Sequence, residues 1–100
     1  MSRYAVGERA VADMDEIWTY IARDNPEAAE RQNRRFFDRF EQLARQPDLG
    51  ESVGYLTAGL KRTLVGNYVV YYEIEPDHVL IRRVIHAARD VRKFFGGDEN

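Results

Sequence analysis

The chain has 100 residues, 44% of them hydrophobic and none of them cysteine, with a formal net charge of −2. This is enough apolar material for one packed domain, residues 1–100, and too much for a disordered chain. It excludes a disulfide scaffold and a thiolate metal site. The opening MSRYAVGERA has no apolar signal core, and no apolar run approaches the ~20 residues of a membrane span, so a soluble, cytoplasmic protein is expected.

Residues 2–6 form a short strand candidate with Tyr4 and Val6 on one face. After Gly7 the apolar positions are Ala10, Val11, Met14, Ile17, Trp18 and Ile21. Steps of three and four mark an amphipathic helix, with Asp13, Asp15, Glu16 and Thr19 on its polar side. Pro26 disfavours helical geometry at Asn25, which suits the N-cap of a second helix with proline in its first position. That helix carries Ala29, Asn33, Phe36, Phe37, Phe40, Leu43 and Ala44 on one stripe and ends before Pro47. Core packing is the default for Trp18 and the phenylalanines. Glu27–Arg31, Glu30–Arg34 and Glu41–Arg45 stand at i,i+4, each worth a few tenths of a kcal/mol if closed. The two helices make an αα-hairpin.

An irregular link over 48–58 leads to three strand candidates, 60–65, 68–74 and 79–85. Gly66-Asn67 and EPDH join them as an antiparallel meander. On the middle strand Tyr68, Val70, Tyr72 and Ile74 are expected to face the helices. Val69, Tyr71 and Glu73 face a less apolar, partly open side. Arg82 and Arg83, as strand neighbours, should point to opposite faces. Asp90 can cap a short helix over VRKFF that Gly96 and Gly97 terminate, and 96–100 should fray. The fold class is α+β, ordered β-α-α-β-β-β with a short C-terminal helix and an antiparallel sheet on the hairpin.

The chemistry is sparse. His78 and His86 on one strand would stand more than about 20 Å apart, too far to share a metal. Ser2 and Ser52 occupy no nucleophile elbow, and no glycine-rich phosphate loop is present. His86 could act as a base, but a lone strand-end histidine more often bonds a neighbouring backbone or carboxylate group. Charge is uneven: residues 61–93 hold seven basic side chains against four acidic, while the first 24 hold three against five. The basic half suits an acidic or phosphate-bearing partner, or is a solvated face.

Several stretches in order resemble the RelE/ParE superfamily of bacterial toxins, on its ParE branch. AVADMDEIWTYIARDNPEAAE is similar to that family's first helix and joint. FEQLARQPDLG resembles the end of its second helix, GLKRTLVGNYVVYYEI its first two meander strands, and VLIRRVIHAARD its last strand. The similarity covers about residues 2–95. Gly7 departs from the serine-like cap common in the family, at little cost.

The resemblance implies a type II toxin–antitoxin toxin that binds DNA gyrase, without catalytic residues or cofactors. It also implies neutralisation by a ParD-like antitoxin, a ribbon-helix-helix protein with a helical C-terminal tail, in a toxin–antitoxin hetero-oligomer. No membrane association and no direct sequence-specific nucleic-acid binding are implied. The alternatives are a RelE-like ribosome-dependent mRNA endonuclease and an inactive member that mainly binds its antitoxin. The nuclease branch uses basic groups on the sheet and a tyrosine near the C-terminus. Val69, Phe94 and Phe95 stand at those places here, and only Arg89 keeps a basic position. The low charge agrees, since work on RNA favours a strongly basic protein. The expected target-binding residues are Arg82, His86, Arg89, Arg92, Lys93, Phe94 and Phe95. The expected antitoxin-binding residues are Val11, Trp18, Ile21 and Phe37.

Overall fold

The computed structural model describes residues 3–95. Strand β1 (Tyr4–Val6) leads into helix α1 (Glu8–Ala22) and helix α2 (Pro26–Arg45). A 3-10 turn, Pro47–Leu49, precedes β2 (Glu51–Ser52), β3 (Leu60–Val65), β4 (Tyr68–Ile74) and β5 (Val79–His86). A last 3-10 turn covers Val91–Lys93.

The expected joints hold for the expected reasons. Asn25 is extended, and its side chain accepts the Ala28 N–H at 3.1 Å, so α2 starts capped with Pro26 in its first turn. Gly66 adopts φ of +60° at the first position of the two-residue β3–β4 turn, a backbone region glycine enters without strain. The second helix ends at Arg45, before Pro47.

The strand order is β1-β5-β4-β3-β2. Neighbours from β2 to β5 are antiparallel, but β1 runs parallel to β5, Tyr4 beside Val79 and Val6 beside Ile81. The sheet is therefore mixed, where the short connections alone suggest an antiparallel one. The parallel pair forms because the helix hairpin carries the chain across the sheet and the closing strand fits between the meander and the N-terminus. The link is not wholly irregular either, since Glu51 and Ser52 pair with Arg62 and Lys61.

The main core lies between the hairpin and the sheet. Ala10, Met14, Phe36, Phe40 and Leu43 pack against Val65, Val70, Tyr72, Val79, Ile81 and Val84. Each large side chain fully withdrawn from water contributes about 1.5–3 kcal/mol. The helical stripes are narrower than their periodicity suggests. Trp18 and Phe37 stay exposed, because a helix against a flat sheet buries only the residues along its line of contact. None of the three i,i+4 pairs expected on α2 closes to an ion pair, as is common for long exposed side chains.

The second face of the sheet departs most from expectation. Val69 and Tyr71 are buried there with Val53, Leu60 and Ile85, covered by Leu56, Val91, Phe94 and Phe95. The face is closed by the link and the C-terminal segment, which no alternation along β4 could reveal. Ile74, assigned to the helix side, is exposed. The VRKFF segment forms one 3-10 turn, capped by Asp90 accepting the Arg92 N–H at 3.1 Å. It then lays its phenylalanines on the sheet. The expected glycine stop and fraying over 96–100 lie outside the described residues.

Candidate functional site

The structure gathers several of the expected target-binding residues at one corner, where β5 ends and the chain turns over the sheet. The shape of that corner follows from a bulge. Tyr71 stands opposite Arg83 but Tyr72 opposite Ile81, so Arg82 is an extra residue in β5. Strict alternation fails at this point. Arg82 does not oppose Arg83 across the sheet: it bonds Glu73 at 2.6 Å, while Arg83 stands beside Tyr71. Glu73 and Tyr71 belong to the same face of β4, the one away from the hairpin.

Arg83 is buried and reaches around the sheet edge to α1. Its Nε and Nη2 donate to the two carboxylate oxygens of Asp13, both at 2.8 Å. Asp13 Oδ2 also accepts the Val84 N–H at 2.9 Å. That N–H points outward at an edge where β1 has already ended, so Asp13 supplies the acceptor that a strand would. The bond to Asp13, reinforced by the charges of Asp13 and Glu16, raises the Arg83 pKa further above its ordinary range.

The Arg83 guanidinium carbon lies 4.7 Å from the centre of the Phe94 ring, and that of Arg89 lies 5.0 Å from it. Two cations thus lie over one aromatic ring. Phe95 tilts onto Tyr71, ring centres 5.0 Å apart. Phe94 and Phe95 are therefore half-buried parts of the sheet cover, not the free tips of a helix.

Arg89 is exposed and makes no ion pair among the described residues, and the same holds for Lys93. Arg92 is exposed and bonds Asp90 at 3.3 Å. The Arg92 side chain, then its backbone N–H, hold the Asp90 carboxyl below the usual carboxylate range. The His86 ring is engaged on both counts. Its Nδ1 accepts the Ala88 N–H at 3.1 Å, and its edge meets the Tyr68 ring with centres 5.3 Å apart. It is a strand-end histidine tied to its own turn. His78 sits at the other end of β5 and bonds Asp77 at 2.7 Å.

A groove of about 860 Å³ runs beside this corner, between α1 and the β4–β5 ends. Ile17, Tyr20 and Tyr68 give it apolar and aromatic surface, Arg23 and Arg89 positive charge, Asp15 and Glu16 negative charge. Sequence reasoning missed Tyr20, Tyr68 and the role of Asp13. An Asp on the polar border of a helix and a Tyr on a strand carry no local mark of a shared groove. Arg82, tied to Glu73, is not among the residues that line it.

The expected antitoxin-binding positions lie on the helix hairpin. Val11 is 46% exposed, Phe37 39% and Trp18 37%, while Ile21 is half-buried. Phe37 leans edge-on against the buried Phe40, ring centres 5.6 Å apart. Tyr20 is more exposed than any of them, at 70%.

The family model for the ParE toxin of type II toxin–antitoxin systems, parDE, matches residues 4–91. The chain belongs to the ParE toxin family. It is a type II toxin–antitoxin toxin of the wider ParE/RelE superfamily, as the resemblance of its motifs implied. Toxin ParE1 of Caulobacter vibrioides is 35% identical to this ParE-family chain over 97 residues, spanning 96% of this chain and 100% of the relative. Toxin RelE3 of the same organism is 31% identical over 88 residues, spanning 87% and 96%. Among solved structures, a chain described as a chromosomal ParDE system from P. aeruginosa superposes with a TM-score of 0.72 at 17% identity, covering 86% of this chain and 96% of that one. This last likeness shows a shared ParE fold.

Proposed function

We propose that this toxin arrests growth by binding DNA gyrase through the basic corner, without chemistry of its own, and that a ParD-like antitoxin holds it inactive. The observation that carries the reading is the state of the three positions where the nuclease branch would place reactive groups. Val69 is 6% exposed and sits in the second core, so its position offers no room for a solvated cation. Phe94 and Phe95 pack on that core, and a phenyl ring can neither donate nor accept a proton. Arg89 alone remains exposed, which suits a charge that grips a partner better than an acid–base set.

His86, Arg89, Arg92, Lys93, Phe94 and Phe95 form the gyrase-facing surface in this reading, with Arg82 beside it. Val11, Trp18, Ile21 and Phe37 receive the antitoxin's helical tail, giving a hetero-oligomer in the cytoplasm where gyrase works. The names of the relatives ParE1 and of the ParDE system support the pairing with an antitoxin.

The decisive experiment is a supercoiling assay with gyrase, ATP and purified toxin. Loss of supercoiling with accumulation of cleaved DNA is expected, and normal supercoiling at saturating toxin refutes the proposal. The likeness to Toxin RelE3 favours a second reading, a ribosome-dependent mRNA endonuclease. A translation extract tests it: codon-dependent mRNA cleavage that Arg89→Ala abolishes would establish it, and intact mRNA removes it.

A further inference from the structure

We propose that Asp13 is a positioning residue for the basic corner: by closing Arg83 into an ion pair, it lets Phe94 seat Arg89, a guanidinium that makes no ion pair among the described residues. The inference rests on the reading of that corner as the target-binding surface.

Three observations meet at this point. First, Asp13 uses both carboxylate oxygens, taking two Arg83 donors at 2.8 Å and the Val84 N–H at 2.9 Å. The two side chains of the pair are only 11% and 12% exposed, so it is shielded from competing water and salt. Second, Arg83 and Arg89 both lie within 5.0 Å of the Phe94 ring centre. Two free cations on one ring would repel each other. Neutralising the inner one removes that repulsion and leaves the π-face to attract the outer one. Third, a cavity of about 80 Å³ is lined by Asp13, Glu16, Arg83, His86, Arg89 and Phe94, so these groups surround one shared space. Glu16 adds a second negative charge facing Arg83.

The arrangement assigns separate tasks. Asp13 fixes Arg83 on the helix side. Arg83 and the sheet fix Phe94. Phe94 then restricts Arg89, which otherwise would sweep its long side chain through solvent and lose entropy on binding. A preset Arg89 binds an anionic or carbonyl-rich partner surface with less ordering left to do.

A merely structural role makes a different prediction. If the pair only staples α1 to the sheet edge, and Phe94 only fills space, the π-face of residue 94 is irrelevant. Two measurements separate the cases. The first reads the Arg89 Nε–Hε group by NMR in the toxin alone, with no target present. Restricted motion is expected in the native chain and averaged motion in Asp13→Asn. An ordered Arg89 in a folded Asp13→Asn protein overturns the proposal.

The second compares Phe94→Tyr, which keeps the π-face, with Phe94→Leu, which keeps an apolar filler. It stands even if Asp13→Asn fails to fold. Phe94→Tyr should keep Arg89 ordered, as in the native chain. Phe94→Leu should free Arg89 and raise the half-effective toxin level about tenfold. Equal behaviour of the two variants overturns the proposal. Because the NMR readout needs no target, a toxin that leaves gyrase untouched refutes the target assignment and leaves the positioning result standing.

Discussion

Tyr72→Phe should destabilise the toxin more than any other loss of a single oxygen atom. Tyr72 is fully buried, and its hydroxyl donates to the Pro47 carbonyl at 2.7 Å and accepts the Gly50 N–H at 2.9 Å. These two bonds fasten the chain leaving α2 to the centre of the sheet. Phenylalanine keeps the ring and its packing but strands one backbone donor and one backbone acceptor. Each such loss costs about 1–1.5 kcal/mol, so about 2–3 kcal/mol together. For a domain of this size that lowers Tm by roughly 10–20 °C. The assay is thermal unfolding followed by far-UV circular dichroism, with antitoxin absent.

The pH dependence supplies a second readout. Burial raises the Tyr72 phenol pKa above its ordinary value of 10.0, with the Gly50 N–H acting in the opposite direction. A raised pKa means that the stabilisation is complete below the unfolded value and is lost as pH rises through the folded one. The gap between native and Tyr72→Phe proteins should therefore be constant at neutral pH and narrow above about pH 10. Tyr4, Tyr68 and Tyr71 are raised by burial too, but they titrate in both proteins and cancel. A Tm drop under about 3 °C, or a gap that widens in alkali, would refute the reasoning.

Gly50→Ala should be severe, by about 2–3 kcal/mol or more, because a Cβ there would collide with the Arg62 carbonyl oxygen and the Tyr72 hydroxyl. Combining it with Tyr72→Phe should not rescue stability, since the backbone contact remains; urea unfolding of the double variant checks this. Asn25→Ala should cost about 1 kcal/mol through loss of the α2 cap, read as a shifted urea midpoint with unchanged slope. Trp18→Ala and Phe37→Ala should each weaken antitoxin capture by about tenfold or more in calorimetry while growth arrest persists, with some loss of Tm because more than half of each side chain is buried. Phe94→Tyr should yield no mRNA cleavage in a translation extract, because residue 69 remains a buried valine where the nuclease branch carries a basic group.

What the sequence determined by itself was local. The helical periodicity of Ala10, Met14, Phe36, Phe40 and Leu43, the Asn25-Pro26 joint and the Gly66-Asn67 turn all act within a few residues, and each lies where its neighbours place it. The order of several motifs along the chain, from AVADMDEIWTYIARDNPEAAE to VLIRRVIHAARD, also pointed to the family that the chain belongs to. What only the tertiary structure decided depends on pairings between distant segments. The bulge after Ile81 sets aside the alternation that would send Arg82 and Arg83 to opposite faces. Asp13 meets Arg83 and Val84 some seventy residues away, because β1 stops short and leaves a backbone donor at the edge. The second face of the sheet closed over Val69 and Tyr71 because the link and the C-terminal phenylalanines needed apolar surface to cover and found it there. Gly50 is required for the space beside Arg62 and Tyr72. Periodicity reports which side of an element is apolar, but the partner that covers it is chosen by the whole fold.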